Sequence, residues 1–436
     1  MKILIIGNGG REHCIARKIF ESKSFKINGG ELYCATGSPG INEFSKPVFI
    51  SIDDVYQLAN FAEKENIDFT FVGPEIPLAL GITDEFNKRG LKIFGPTQKA
   101  AEIESSKIFA KNLMKKYNIP TADFRYFTEA NIKDAYEYLQ ETSYPVVIKA
   151  DGLAAGKGVI IAEDRIHAVD TIDSFIGEKI FGKAGEGFII EKFMSGYEVS
   201  LFAITDGDNY ILLPSSQDHK RIGEGDTGKN TGGMGAFSPL PDELYDEELK
   251  RAVEKKIIKP VLKAMKEEGR KYKGCLYAGL MIVEESGKKK PYVVEFNCRF
   301  GDPETQAVVP LIKSDFLEML QVSVEGNIDK YILETHNKYS CCVVMSSKGY
   351  PGNFQKGNII SGIEKAEEKA QVCHSGTKYD ESGNIITNGG RVLAVTALSS
   401  SSHKLANKKC YEAVSEIHFA DSYFRRDIGK KILKKK

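Results

Sequence analysis

Short apolar runs and amphipathic segments alternate through the first hundred residues. The runs are Ile3–Ile6, Leu32–Ala35, Phe69–Val72 and Lys92–Phe94. Between them, apolar positions recur at helical spacing over Arg11–Ser22, Asp53–Asn66 and Ile76–Arg89. This βαβ rhythm predicts a doubly wound, mainly parallel sheet. Each run ends in a Gly or Pro turn: Gly7-Asn-Gly-Gly-Arg11, Thr36-Gly-Ser-Pro-Gly40, Gly73-Pro-Glu75 and Gly95-Pro96. Such turns gather at the carboxyl edge of the sheet, where open α/β sheets bind ligands.

The rhythm changes near Ala101. A helix is expected over Glu104–Tyr117, ending before Ile119-Pro120. Strand-like Val146–Ile148, a Gly-rich turn, Gly158–Ala162, a helix and Gly187–Ile190 follow, the pattern of a small α+β lid. Residues 195–325 return to longer strands and helices. Residues 331–436 alternate strands such as Cys341–Met345 and Arg391–Ala397 with turns, then close on a helix over Lys404–Glu416. The expected division is an N-terminal α/β domain over 1–103, a central α+β domain over 104–330 with a lid at about 119–195, and a compact C-terminal α+β domain over 331–436. No internal repeat is present, and a length of 436 residues calls for several domains.

The stretch Pro291-Tyr-Val-Val-Glu-Phe-Asn-Cys-Arg-Phe-Gly-Asp-Pro-Glu-Thr305 carries the most chemistry. As a strand it presents Tyr292, Val294, Phe296 and Cys298 on one face, and Val293, Glu295, Asn297 and Arg299 on the other. Carboxylate and amide oxygens suit a hard cation such as Mg²⁺, and the neighbouring Arg suits an anion that the cation also touches. An ordinary amphipathic strand with a solvated polar face has the same alternation.

Composition excludes several classes. Lys+Arg and Asp+Glu balance at 60 each, which argues against a general nucleic-acid binder. The sequence shows no apolar run of membrane-spanning length and no signal-peptide pattern. The composition, 42% hydrophobic and 28% charged, is that of a soluble globular protein. The 8 Cys are scattered without a Cys-x-x-Cys pair, so reduced thiols in the cytoplasm are expected. The 7 His form no i,i+4 cluster that would suit a metal.

Gly7-Asn-Gly-Gly-Arg-Glu12 follows a strand and opens a helix, as a dinucleotide-binding turn does, but Glu12 replaces the third Gly of that fingerprint. The helix N-terminus still favours a phosphate, with Arg11 adding charge; a tight turn with no ligand is the alternative. Glu75 suits hydroxyls or an amine, or simply the positive end of a helix dipole. Lys149-Ala-Asp-Gly-Leu-Ala-Ala-Gly-Lys-Gly158 is not a P-loop: Gly152 and Gly156 are too close, and Gly158 follows Lys157 where Ser or Thr should stand. It lies between two strands, with glycines that let backbone approach an anion and two lysines that neutralise charge. A flexible hairpin with solvated lysines is the bland alternative. Glu191 and Glu198 flank a Gly turn between strands, where surface acids are also common. Ser216-Gln-Asp-His-Lys-Arg221 and Asp226–Ala236 are expected to form one long polar, Gly-rich loop, a length usually functional or disordered.

Together these residues resemble the ATP-grasp superfamily and, more closely, its phosphoribosylamine–glycine ligase family. The matching segments run in order along nearly the whole chain: Ile6-Gly-Asn-Gly-Gly-Arg-Glu-His13, Val72-Gly-Pro-Glu75, Ile148–Val159, Ser216–Arg221, Asn230-Thr-Gly-Gly-Met-Gly-Ala236, Tyr277-Ala-Gly-Leu-Met281, Glu295–Gln306 and Thr387-Asn-Gly-Gly-Arg-Val392. The resemblance implies ligation of glycine to 5-phosphoribosylamine through a glycyl phosphate, with ATP and Mg²⁺ (or Mn²⁺), in purine biosynthesis, by a cytoplasmic monomer. A related ATP-grasp carboxylate–amine ligase or carboxylase is the alternative.

The resemblance assigns ATP phosphates to Lys107, Lys149 and the loop residues Gly156 and Lys157. It assigns adenine and ribose to Glu191, the Phe193 backbone and Glu198, and the metal to Glu295 and Asn297. Gly9, Gly10, Arg11 and Glu75 would face phosphoribosylamine. Asp218 and Arg299 would stand nearer the reacting groups, with Lys157 also counted as catalytic. There are departures. Thr36-Gly-Ser-Pro-Gly40 differs from the family's usual pattern, and Lys229 stands where Pro is usual. Leu280-Met-Ile-Val283 lacks the carboxylate that many ATP-grasp relatives use as a first metal ligand, a gap shared by the ligase family.

Overall fold

The computed structural model describes residues 1–153, 158–176 and 187–430, and the structural statements below concern those residues. The first sheet is parallel, in the order Lys46–Val48, Glu31–Ala35, Lys2–Ile6, Phe69–Val72, Ile93–Phe94. The order reverses beside Lys2–Ile6, the switch point of a doubly wound sheet. The edge strand Lys46–Val48 escapes the hydrophobic pattern because it is short and contains Pro47, tolerated at an edge where one N–H goes unused.

Two expected helices are interrupted. Ile76–Arg89 divides into Glu75–Ala79 and Ile82–Lys88, because Gly81 takes a left-handed φ of 85° between them. The helix expected over Glu104–Tyr117 breaks at Ser106. Gln98–Ser105 ends there and Lys107–Lys116 begins, with the Ser106 hydroxyl accepting from the Phe109 N–H at 3.1 Å. This break has a direct consequence at the site.

A four-stranded antiparallel sheet, Phe124–Thr128, Gly187–Lys192, Val146–Ala150 and Val159–Ala162, makes the lid. It has its own core, including Phe127, Leu139, Ile148, Ile172 and Phe188. The central sheet pairs Tyr210–Leu212, Tyr197–Thr205, Gly274–Glu285 and Lys288–Asn297. Its core is continuous with that of the first sheet, Leu4 and Ile6 joining Leu280, Val293 and Phe296 in one cluster. A further sheet contains Tyr339–Ser347, Arg391–Ser399 and Gln371–His374, and extends to Gly235–Ser238 and Gln217–Asp218. Residues from both sides of position 330 therefore build one sheet. The stretch expected to be an unstructured loop contains these two short strands and a hairpin of Arg221–Gly223 with Thr227–Asn230. Gly-rich strands carry no apolar alternation, and Gly235–Ser238 takes its partner from the distant strand Tyr339–Ser347.

The alternation expected for the strand Lys288–Asn297 also needs correction. Gly279 pairs with Glu295 but Leu280 pairs with Val293, a β-bulge at Val294. Beyond it the faces exchange. Val293 is buried with Phe296 and Cys298, while Val294 joins Glu295 and Asn297 along the cleft. All 8 cysteines are buried and free. Among the described residues, no helix is long and apolar enough to cross a membrane.

Candidate active site

A cleft of about 2110 Å³ runs between the lid, the central sheet and the carboxyl edge of the first sheet. Its floor is the end of Lys288–Asn297. Glu295 and Asn297 line it, as do Lys107, Lys149, Glu191, Phe193, Glu198, Asp218, Arg11, Glu75 and Arg299.

The lysines arrive from three elements. Lys107 opens its helix and donates to the Gly152 carbonyl at 2.8 Å, at the root of the glycine loop. Asp151 on that loop accepts from the Ile108 N–H at 3.0 Å, so loop and helix cap each other. Burial lowers the Lys107 pKa against the pull of Glu295. Lys149 lies 3.0 Å from Glu191 and donates to the Val294 carbonyl at 3.0 Å, tying the lid to the bulge. Glu191 is buried, and its other oxygen meets Lys111 at 3.1 Å. Lys111, not singled out in the sequence, also donates to Thr121 Oγ1 at 2.6 Å. Burial brings its pKa down to about 8 although Glu191 opposes the shift.

Lys220 is a second residue that the sequence did not single out. It lies 2.9 Å from Glu198 and 3.9 Å from Glu295, bridging the acid assigned to ribose and the acid assigned to the metal. Burial works against its charge, but Glu198 and Glu295 outweigh that and raise its pKa well above the usual value. At Glu295 burial favours the neutral form, yet Lys220, Lys149, Lys107 and Arg299 together hold it ionised.

Lys220 and Asp218 flank His219, whose ring nitrogens both face backbone groups. His219 Nε2 accepts from the Gly429 N–H at 3.2 Å, so its Nδ1 carries the proton, facing the Gly235 carbonyl at 3.3 Å. This histidine pins the strand to the C-terminal segment. Asp218 accepts from its neighbour's N–H at 2.5 Å. Burial, then Glu304, push its carboxyl well above the usual range. Glu304 is itself buried, accepting from Tyr277 Oη at 2.9 Å and Ser200 Oγ at 3.1 Å.

Arg299 is held from two sides, 3.1 Å from Glu75 and 2.9 Å from Glu104. Glu75 is pulled below the usual carboxylate range: burial opposes this, and Arg299 and Arg11 prevail. Arg11 lies 2.5 Å from Glu12 and donates to the Phe300 carbonyl at 3.0 Å. Glu12 also accepts from the Gly9 N–H at 2.8 Å, so a carboxylate already sits at the helix N-terminus where a dinucleotide phosphate would bind. Gly9 and Gly10 do not line the cleft, and a Cβ on Gly10 would come within 2.4 Å of Ser375 Oγ. Gly156 and Lys157 lie outside the described residues.

Glu295 and Asn297 together fit a hard cation. Among the described residues, no group of three or more His, Cys, Asp or Glu forms a metal cage. Two protein oxygens facing a lysine-lined cleft match the way Mg²⁺ is bound with water and substrate phosphates completing its shell.

A small antiparallel lid closed over a central antiparallel sheet, with lysines and an acid–amide pair between them, defines an ATP-grasp enzyme. Family models for phosphoribosylglycinamide synthetase match as its N domain over residues 1–104, its ATP-grasp domain over 105–305 and its C domain over 340–431. The chain belongs to the phosphoribosylglycinamide synthetase family. It is 46% identical to the phosphoribosylamine–glycine ligase of Caldanaerobacter subterraneus subsp. tengcongensis over 98% of this chain and 99% of that protein. It is 44% identical to the ligase of Escherichia coli K12, covering 98% of each. The crystal structure of the Thermotoga maritima ligase superposes with a TM-score of 0.82 at 30% identity, covering 98% of this chain and 100% of that one. The biotin carboxylase domain of Hydrogenobacter thermophilus 2-oxoglutarate carboxylase, at 16% identity and a TM-score of 0.71 over 97% of this chain and 91% of that one, shares the fold.

Proposed function

We infer that this chain joins glycine to 5-phosphoribosylamine with cleavage of ATP to ADP and phosphate, giving glycinamide ribonucleotide in purine biosynthesis. The observation that carries the mechanism is the convergence of Glu295 and Asn297 with Lys107, Lys149 and Lys220 on one cleft. ATP and Mg²⁺ (or Mn²⁺) are its cofactors.

In our reading the glycine carboxylate attacks the γ-phosphorus, ADP leaves, and the amine of phosphoribosylamine displaces phosphate from the glycyl carbon. Lys107 and Lys149 hold the phosphates of ATP, joined by Gly156 and Lys157 of the glycine loop. Glu191 steadies Lys149, and together with Phe193 and Glu198 bounds the adenosine pocket. Glu295 and Asn297 hold the cation, which when bound spreads the charge that develops on the transferred phosphoryl group. Asp218 and Arg299 face the reacting carboxylate and amine. Arg11 and Glu75 define the phosphoribosylamine end, and the turn at Gly9 and Gly10 carries Arg11 to it. The private core of the lid supports movement as a unit that excludes water from an easily hydrolysed acyl phosphate. The family matches support a division close to 1–103, 104–330 and 331–436. We take the enzyme to act as a monomer on small molecules, in the cytoplasm, a compartment that suits its eight free thiols.

The test is ADP release with each substrate omitted in turn. Release should require both glycine and phosphoribosylamine. Glu295→Ala should lose turnover by about 100-fold or more while the far-ultraviolet circular dichroism is unchanged. Near-normal activity of that variant would refute the metal assignment, and release driven by another acid would refute the substrate.

A further inference from the structure

Glu104 is 8% exposed and sits one residue before the end of the helix Gln98–Ser105. Its carboxylate serves three successive residues at the end of the metal strand. Oε1 accepts from Asn297 Nδ2 at 2.9 Å and meets the Arg299 guanidinium at 2.9 Å, while Oε2 accepts from the Cys298 N–H at 2.7 Å. A carboxylate can only accept. It therefore fixes which way the Asn297 amide lies: the NH₂ faces Glu104, and Oδ1 is left for the cleft. The helix break at Ser106 makes this possible, since it lets Glu104 reach the metal strand while Lys107, three residues on, turns to the Gly152 carbonyl.

We propose that Glu104 is a positioning residue for the divalent cation, setting the Asn297 amide so that oxygen and not nitrogen faces the metal. The proposal rests on the assignment of Asn297 as a ligand. A partner one step removed from a metal commonly changes affinity by about 10- to 100-fold when lost. With Gln at position 104, the new NH₂ can donate to Asn297 Oδ1 and take the oxygen that the cation needs.

The experiment titrates Mn²⁺ into the full chain with saturating ADP and counts free Mn²⁺ by electron paramagnetic resonance. Asn297→Ala tests the underlying ligand. Glu104→Gln should raise the Mn²⁺ Kd at least about 10-fold with an unchanged number of sites per chain. A purely structural role would do the reverse, reducing the number of competent sites while leaving the Kd of the remainder intact. Glu104→Asp keeps the acceptors one methylene further back and should fall between, which keeps the question open to measurement if the Gln variant folds poorly. A wild-type Kd in Glu104→Gln or Glu104→Asp, with Asn297→Ala weakened, would overturn the positioning role alone. A wild-type Kd in Asn297→Ala would overturn the ligand assignment and the proposal with it.

Discussion

Glu295, Asn297 and Arg299 were legible in the sequence as types, because a carboxylate, an amide and a guanidinium in alternate positions have few structural uses together. Their partners were not. Glu104 meets Asn297 and Arg299, and Lys220 meets Glu295, from elsewhere in the chain; nothing local marks such partners, and Glu104 lies 193 positions from Asn297. His219 shows the converse: it stands between Asp218 and Lys220 in the chain, yet its ring nitrogens are committed to backbone. Burial, then Arg425, bring its pKa down from 6.5 to about 4. The unfolded chain therefore binds a proton between those values that the folded chain does not. The stabilisation is complete above about pH 6.5 and is lost as pH falls towards 4. Urea unfolding should show that wild type loses up to about 2 kcal/mol more than His219→Gln between about pH 6.5 and pH 5. Equal losses would show that His219 is not the titrating group.

At the scale of elements, strands with a strong apolar pattern were readable, and those held by pairing alone were not. The hairpin Arg221–Gly223 with Thr227–Asn230 contains almost no apolar residue. It is held by the C-terminal segment. Arg425, fully buried, donates to the Arg221 carbonyl at 2.9 Å and meets Asp226 at 2.8 Å and Asp427 at 2.8 Å. Tyr423 Oη donates to the Ile222 carbonyl at 2.8 Å. Because the hairpin follows Asp218 and Lys220 directly, this distant segment fixes a wall of the cleft. Arg425→Ala leaves two acids facing a buried gap and should cost about 3 kcal/mol or more in denaturant unfolding. It should also lower kcat, since Lys220 loses its backing. Wild-type stability would show that the cluster is solvated. The bulge at Val294 belongs to this scale as well. Strict alternation put Val294 with Phe296, and one extra residue turned it to the cleft, where its carbonyl receives Lys149.

Across the whole molecule, the doubly wound first sheet, the lid and the central sheet follow from the rhythm of apolar runs and the positions of glycine. What the rhythm could not show is how little separates them. The first and central sheets share one core, and the strands Gln217–Asp218 and Gly235–Ser238 join a sheet otherwise built after residue 338. The lid keeps a core of its own, as one face of the C-terminal sheet also does, and this independence suits a cover that closes over the phosphates. Such a cover suits glycyl phosphate, an intermediate that water would destroy. Glycine labelled with ¹⁸O in its carboxylate should be turned over with phosphoribosylamine and ATP, and the inorganic phosphate analysed by mass spectrometry. Formation of glycyl phosphate predicts one labelled oxygen per phosphate released, with the other retained in the amide product. Phosphate free of label would contradict it.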